Sequence, residues 1–245
     1  MERPDNISQH DWFLLTSKYK NMTKIMKKID EGYPLQYLIG HVDFYGLKIE
    51  VNKHVLIPRY ETEYLIAKTK EYIDKYFKNK SLTIVDAGTG SGCIALKMKS
   101  LYPHHHVYAF DKSSKALQSA QKNAQTNNLD VSFQKSTFKK YSQDNIDILI
   151  SNPPYIAQDE EIALNVKKYE PAISLWAGED GLKYYLELIN NKHVKLNKPG
   201  LICFEIGYEQ GILVSDIIKS RYKEAYITIE KDLTGKDRYI FAYLE

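Results

Sequence analysis

The stretch Leu82–Gly92 reads Leu-Thr-Ile-Val-Asp-Ala-Gly-Thr-Gly-Ser-Gly, an apolar run that passes directly into a glycine-rich segment. Its first half has the length and apolar character of a buried parallel strand. The residues from Cys93 to about Leu101 then have the pattern of a helix. Glycines between a strand and a helix let the backbone approach a ligand at the helix amino terminus. The stretch therefore predicts a strand-loop-helix unit that binds a nucleotide-like ligand.

Alternating strand and helix patterns continue from this unit almost to the end of the chain. We predict further strands at 107–110, 131–133, 146–150, 201–206, 225–230 and 238–243, with helices at 114–127, 181–190 and 210–219. Such alternation predicts an α/β, Rossmann-like fold, with a mostly parallel sheet of seven strands and helices on both faces. The last connection is too short for a crossover helix, so we expect an antiparallel terminal strand.

The residues before this unit have other periods. Apolar residues recur at steps of three and four over 8–29, which predicts one amphipathic helix capped by Ser8 and ended near Gly32 by Pro34. Alternation within 44–57 predicts a hairpin, and a helix should run from Pro58 to about Phe77. We expect a small helical substrate-recognition region at 1–42, a hairpin linker at 43–60 and the main domain at 61–245, in which the polar segment Lys78–Ser81 precedes the alternating pattern.

Composition is that of an ordinary globular protein, with 43% apolar and 27% charged residues among 245. A net charge of +3 is too small to indicate a nucleic-acid partner. No run of 18 apolar residues is present and the amino terminus does not resemble a signal peptide, so we expect a cytoplasmic protein without a membrane span. We take it to be a monomer. Cys93 and Cys203 lie in apolar segments without a CxxC partner, which indicates reduced core thiols and no metal.

The acidic residue beside the glycines indicates which cofactor they hold. Asp86, two positions before Gly88, would repel a pyrophosphate but would complement an ammonium or sulfonium group. A dinucleotide fingerprint would place Gly or Ala at Cys93, and no Lys-Ser/Thr pair completes a P-loop. These features favour S-adenosylmethionine. Asp111, nineteen positions after Gly92 at the end of the second strand, is placed to accept the ribose hydroxyls.

The sequence Asn152-Pro153-Pro154-Tyr155 follows the strand predicted at 146–150. Ligands bind beyond the carboxyl ends of strands in an open α/β sheet. Two prolines fix the backbone and remove two N–H donors, so the loop presents mostly carbonyl acceptors. Asn152 adds a side-chain oxygen, and Tyr155 adds a flat aromatic face. Such a loop suits a substrate that carries a planar NH₂ group.

Together, residues 86–92 and 152–155 resemble the class I methyltransferases that act on planar exocyclic or amide nitrogens. Other stretches resemble one family within this class, the HemK-type peptide chain release factor glutamine N(5)-methyltransferases. These stretches lie at 34–40, 56–63, 170–171, 178–182, 205–207 and 235–238.

The resemblance implies a methyl donor, S-adenosylmethionine, and a substrate, the glutamine in the Gly-Gly-Gln loop of a release factor. Thr137 stands near the position where the family has an acidic residue beside the adenine. The implied catalytic residues are Asn152, Pro153, Pro154 and Tyr155, and the implied cofactor contacts are Asp86, Gly88, Thr89, Gly90, Ser91, Gly92, Asp111, Thr137 and Asn152.

Two alternatives share these motifs. A nucleic-acid methyltransferase would stack a flipped adenine or guanine on Tyr155 and bind phosphates with Lys and Arg. A protein that binds the cofactor without transfer would act as a sensor or as a release-factor chaperone. The small net charge and the lack of an added base-reading domain favour a protein substrate.

Overall fold

The structure is a computed structural model that describes residues 2–78 and 80–245. Met1, the first residue of the predicted recognition region, lies outside the described residues, as does Asn79 in the predicted polar boundary.

The amino-terminal region contains three short helices, α1 (Gln9–Lys18), α2 (Met22–Asp30) and α3 (Leu35–Ile39). The single helix predicted over 8–29 is therefore wrong, although Ser8 does cap α1 by accepting the Asp11 N–H. Asn21 starts a new helix because its side chain accepts the Lys24 N–H. The chain is extended at Tyr19, whose hydroxyl donates to the Leu38 carbonyl. These two contacts outweigh the continuous apolar period.

A two-stranded antiparallel hairpin follows, made of β1 (His41–Phe44) and β2 (Leu47–Glu50), as predicted from the alternation. The chain then reaches α4 (Tyr60–Tyr76), which begins two residues after Pro58. Asn123 fixes the hairpin to the main domain because its side chain accepts the Glu50 N–H and donates to the Glu50 carbonyl.

The main sheet has seven strands, as predicted. They are β3 (Thr83–Ala87), β4 (His106–Asp111), β5 (Ser132–Lys135), β6 (Gln143–Ser151), β7 (Val194–Glu205), β8 (Tyr226–Lys231) and β9 (Asp237–Leu244). Their spatial order is β5-β4-β3-β6-β7-β9-β8. The first five are parallel to one another, and β9 is antiparallel to both β7 and β8. The mostly parallel sheet with an antiparallel terminal strand is confirmed.

The remaining helices are α5 (Cys93–Leu101), α6 (Ser114–Thr126), α7 (Leu164–Tyr169), α8 (Lys183–Ile189) and α9 (Gly211–Arg221), with a 3₁₀ turn at Ala172–Ser174. Helices cover both faces of the sheet, as neighbouring residues of β3 show. Ile84 packs with residues of α4, α5 and α6, whereas Val85 packs with residues of α8 and α9. Sequence analysis missed α7, which is only six residues long and has no buried side chain.

The helical region has a small apolar cluster of its own, formed by Leu15, Ile25, Leu38 and Ile39. The hairpin instead belongs to the main core, to which it contributes Phe44 and Ile49 among others. Within residues 2–78 and 80–245, no helix combines the length and apolar character needed to cross a membrane.

Candidate active site

A cleft opens at the carboxyl ends of the central strands. Gly88 follows β3, Asp111 ends β4 and Asn152 follows β6, and all three line this cleft. The chain passes from β3 to β4 on one side and from the adjacent β6 to β7 on the other, so the connections leave these two strands in opposite directions. The cleft thus occupies the topological switch point, where open α/β sheets bind their ligands.

The glycine loop is packed on one side and open on the other. Gly88 has a φ of +75°, and a side chain there would lie 2.9 Å from the Phe138 ring. Gly92 also has positive φ and lies against Ala120. By contrast, nothing stands within 4 Å of the position that a Gly90 side chain would take. The loop therefore offers bare backbone and free space to a ligand.

Asp86 lies beneath this loop and is fully buried. Its Oδ2 accepts hydrogen bonds from the Thr89 hydroxyl, at 2.6 Å, and from the Ala95 N–H, at 3.2 Å. Among the described residues, its Oδ1 has no hydrogen-bond partner. Burial, with a smaller effect from the nearby Asp111, raises the pKa of Asp86 to about 7, although the hydrogen bonds from Thr89 and Ala95 lower it. A cation above the loop would favour the ionised carboxylate.

Asp111 lines the cleft with both oxygens held in place. Oδ2 accepts the Gly90 N–H at 3.0 Å, and Oδ1 accepts the Ser113 N–H at 2.8 Å. A carboxylate oxygen can accept more than one hydrogen bond, so both can also accept ligand hydroxyls. Burial raises the pKa of Asp111 as well.

Asn152 lines the cleft on the side of the Asn-Pro-Pro-Tyr loop, which we call the acceptor side because a methyl-accepting substrate would lie there. A residue distant in sequence orients its side chain. Its Nδ2 donates to Thr62 Oγ1 at 2.9 Å, and Thr62 Oγ1 donates to Glu205 Oε2 at 2.8 Å. Thr62 lies in the first turn of α4, and Glu205 ends β7. With its nitrogen engaged in this way, the Asn152 amide retains Oδ1 as its acceptor.

The other residues of the Asn-Pro-Pro-Tyr loop differ in exposure. Pro154 lines the cleft, but the buried Pro153 and the half-buried Tyr155 do not. The Tyr155 carbonyl accepts the Gln210 side-chain N–H at 2.9 Å, which fixes the end of the loop. Burial raises the pKa of the Tyr155 hydroxyl above its ordinary value.

The cleft brings together seven of the residues selected from the sequence: Gly88, Thr89, Gly90, Ser91, Asp111, Asn152 and Pro154. Five others lie just outside its lining: Asp86, Gly92, Thr137, Pro153 and Tyr155. Thr137 is half-buried, and its carbonyl accepts the N–H groups of Lys140 and Tyr141. The next residue, Phe138, provides the apolar wall on this side.

Sequence analysis gave no individual role to several residues that line the cleft. Phe138, Tyr184 and Ile173 supply apolar surface, while Arg59 and Thr62 enter from the start of α4. The apolar residues carry no motif that would mark them. Arg59 and Thr62 fall in the stretch 56–63, which supported the family resemblance without indicating what each side chain does. In the described part of the chain, no three His, Cys, Asp or Glu side chains lie close enough together to hold a metal ion.

Comparison with known proteins adds independent information. Residues 67–169 match the family model described as "Methyltransferase small domain". The release factor glutamine methyltransferase of Enterococcus faecalis is 40% identical over 213 residues, which cover 86% of this chain and 76% of that protein. The protein of the same name from Bacillus anthracis is 37% identical over 231 residues, covering 92% and 81%.

Among solved structures, the hMettl16 catalytic domain in complex with MAT2A 3′UTR hairpin 1 has a TM-score of 0.61 at 16% identity. The match covers 82% of this chain and 75% of that one, and it shows a shared fold.

This sheet order, with a glycine loop after β3 and an Asn-Pro-Pro-Tyr loop after β6 at the switch point, defines an S-adenosylmethionine-dependent class I methyltransferase. Within that class, the chain belongs to the release factor glutamine methyltransferase family, since it is 37–40% identical to members along most of their length. The predicted fold, methyltransferase activity and cofactor are confirmed.

Proposed function

We propose that this protein transfers the methyl group of S-adenosylmethionine to the side-chain amide nitrogen of the glutamine in a release factor's Gly-Gly-Gln loop. Such methylation would modulate translation termination. The observation that carries the proposal is the Asn152 side chain at the cleft, whose nitrogen is engaged by Thr62 and whose oxygen is left to accept a substrate N–H. The choice of substrate follows the names of its relatives, which are release factor glutamine methyltransferases.

The residues of the cofactor side fit S-adenosylmethionine. Asp111 can accept the ribose hydroxyls, and the open space at Gly90 admits the ligand to the backbone. The unpartnered Oδ1 of Asp86 lies beneath the loop, where the cationic cofactor would favour the ionised carboxylate. Phe138 and Tyr184 give an apolar wall for the adenine, beside Thr137. When bound, the cofactor supplies an activated methyl group on a sulfonium.

On the acceptor side, the problem is a poor nucleophile, because the amide lone pair is delocalised into the carbonyl. Asn152 Oδ1 and the Pro153 carbonyl accept the two hydrogens of the substrate NH₂ group and direct its lone pair at the methyl. Tyr155 packs near the amide plane. The methyl group would pass from the sulfonium to this nitrogen, the electron pair of the carbon–sulfur bond would stay on a neutral thioether, and the displaced N–H proton would go to water. Positioning therefore supplies most of the acceleration.

The amino-terminal segments would provide substrate recognition. Helices α1, α2 and α3 form a separate cluster beside the hairpin, which suits a recognition region at 1–42 and a linker at 43–60 ahead of the catalytic domain at 61–245. We expect a cytoplasmic monomer, since its partner acts in translation.

The test is methyl transfer from labelled S-adenosylmethionine to a purified release factor, with DNA and RNA in parallel reactions. Label should appear in the release factor and should vanish when the glutamine of Gly-Gly-Gln is replaced by alanine. Label in nucleic acid would instead support a base methyltransferase. Cofactor binding without transfer to any of the three would contradict the proposed enzyme.

A further inference from the structure

Two consecutive hydrogen bonds connect three distant parts of the chain at the acceptor side of the cleft. Asn152 lies after β6, Thr62 in the first turn of α4 and Glu205 at the end of β7. The distances are 2.9 Å from Asn152 Nδ2 to Thr62 Oγ1 and 2.8 Å from Thr62 Oγ1 to Glu205 Oε2. Thr62 and Glu205 are each 2% exposed, so water competes little for the bond between them.

The order of donors and acceptors fixes the direction of this series. A threonine hydroxyl has a single hydrogen, and a carboxylate can only accept. Thr62 must therefore give its hydrogen to the ionised Glu205 and accept its second bond from Asn152. Only the NH₂ end of an asparagine amide can donate. Consequently the Asn152 nitrogen is turned towards Thr62 and its oxygen towards the substrate.

Glu205 is held firmly enough to serve as the fixed end of the series. It pairs with Tyr239 in the β7–β9 ladder, and its carbonyl accepts the Tyr185 hydroxyl at 2.8 Å. The charged groups that face it are Arg238 and Arg59, which favour the carboxylate, and Glu61, which opposes it. Burial is the largest influence and raises the pKa of Glu205 to about 7.

Protonation of Glu205 would allow the donor and acceptor in both hydrogen bonds to exchange roles. A neutral carboxyl can donate to Thr62 Oγ1, and the threonine hydrogen is then free to turn towards Asn152. The amide would gain from presenting its oxygen to Thr62, which would leave its nitrogen facing the substrate NH₂ group. Two donors would then meet in the cleft, so the catalytic orientation depends on the ionised form of Glu205.

We propose that Thr62 and Glu205 are positioning residues that orient the Asn152 amide so that its oxygen faces the substrate glutamine. The proposal rests on the methyl transfer proposed above and extends it to two residues that do not touch the reacting atoms. A merely structural role, in which the bonds only attach α4 to the sheet, makes different predictions.

The first test compares Thr62→Val with Thr62→Ser. Valine matches threonine in shape but lacks the hydroxyl, whereas serine keeps it. We expect Thr62→Val to lower kcat about tenfold or more, by analogy with loss of an oriented polar group, and Thr62→Ser to stay near wild type. The dissociation constant for S-adenosylmethionine should not change. In an Asn152→Ala background, Thr62→Val should have no further effect, because the amide that it orients is absent.

The second test uses ¹⁵N-asparagine labelling and does not depend on activity. The Asn152 side-chain NH₂ signal, assigned by its loss in Asn152→Ala, should exchange slowly with water in wild type and rapidly in Thr62→Val. It should also shift with pH around a midpoint near 7 in wild type, but not in Glu205→Gln.

The outcomes separate the two proposals. If wild-type protein does not methylate a release factor, the proposed function fails, and the NMR signal still decides the orientation of Asn152. If methylation is normal in Thr62→Val, or if its effect adds fully to that of Asn152→Ala, the positioning role is wrong. An Asn152 NH₂ signal that is insensitive to both Thr62→Val and pH would overturn it as well.

Discussion

At the scale of single residues, Asn152 carries the largest predicted effect. Asn152→Ala should lower turnover about 10²-fold or more, because one hydrogen of the substrate amide then has no oriented acceptor. Steady-state kinetics with a release factor would measure this loss. Asn197→Ala is a matched control, because Asn197 lies in the amino-terminal half of β7, away from the cleft. Its side chain donates to Asp147. Near-normal turnover by Asn152→Ala would remove Asn152 from the mechanism.

Asp86 should make stability depend on pH. The unfolded chain ionises an aspartate near pH 4, whereas burial raises the pKa of folded Asp86 to about 7. Between these values the folded protein holds the extra proton, so its free energy of unfolding should fall as pH rises.

Asp86→Asn should flatten this fall, which urea unfolding at pH 5 and pH 8 would measure. The exposed Asp74 is a control, because Lys70 lowers the pKa of its carboxyl and Asp74→Asn should not flatten the curve. An unchanged pH dependence in Asp86→Asn would show that the carboxyl does not titrate in this range.

Some of these residues could be selected from the sequence and others could not. Asp86 and Asn152 stand next to glycines and prolines at strand ends, so local pattern alone indicates a site. Thr62 is one of several polar residues in a helix, and its role depends on Asn152, ninety positions away. Sequence spacing contains no record of that contact.

At the scale of elements, the existence of the strands was easier to predict than their starts, since β7 begins at Val194 and was predicted from 201. The second half of β6 is a short, mainly apolar run that ends at a Pro-Pro pair, and its length and flanking residues favour a strand over a helix. The break between α1 and α2 was missed because apolar residues continue through it at helical spacing. Tertiary bonds decide it: Tyr19 and Lys18 both donate to the Leu38 carbonyl, and Lys18 also donates to Ile39.

The recognition role proposed for 1–42 can be tested through the core of that region. Leu15 is fully buried among α1, α2 and α3, so Leu15→Ala should cost about 2–5 kcal/mol of local stability. We expect a higher KM for the release factor and an unchanged dissociation constant for S-adenosylmethionine.

Val214→Ala in α9 is the control, since it removes buried methyl groups from the core that packs on the main sheet. It should lower the stability of the fold without raising KM selectively. If Leu15→Ala leaves KM unchanged despite local unfolding, the three helices do not recognise the substrate.

At the scale of the whole molecule, Glu170 connects the linker to the segment that follows β6. Its buried carboxylate accepts the Ile57 N–H at 3.1 Å and also binds Arg59. Arg59 is about one-third exposed, so solvent weakens the ion pair. The Ile57 N–H is buried and would lose its acceptor. Glu170→Ala should therefore lower the free energy of unfolding by about 1–3 kcal/mol.

Glu170→Gln separates the two contacts, because glutamine keeps an acceptor for Ile57 and loses only the charge. We expect it to retain most of the stability in urea unfolding. Equal losses in both variants would assign the effect to the ion pair with Arg59.

The two halves of the cleft are completed at different points along the chain. The glycine loop and Asp111 belong to the first half of the sequence, while Glu205 is the last residue of β7 and Arg238 lies in β9. On a ribosome, the parts that hold the cofactor are thus made well before those that orient Asn152. We therefore expect a nascent chain to become competent for methyl transfer only after its last strands have been synthesised.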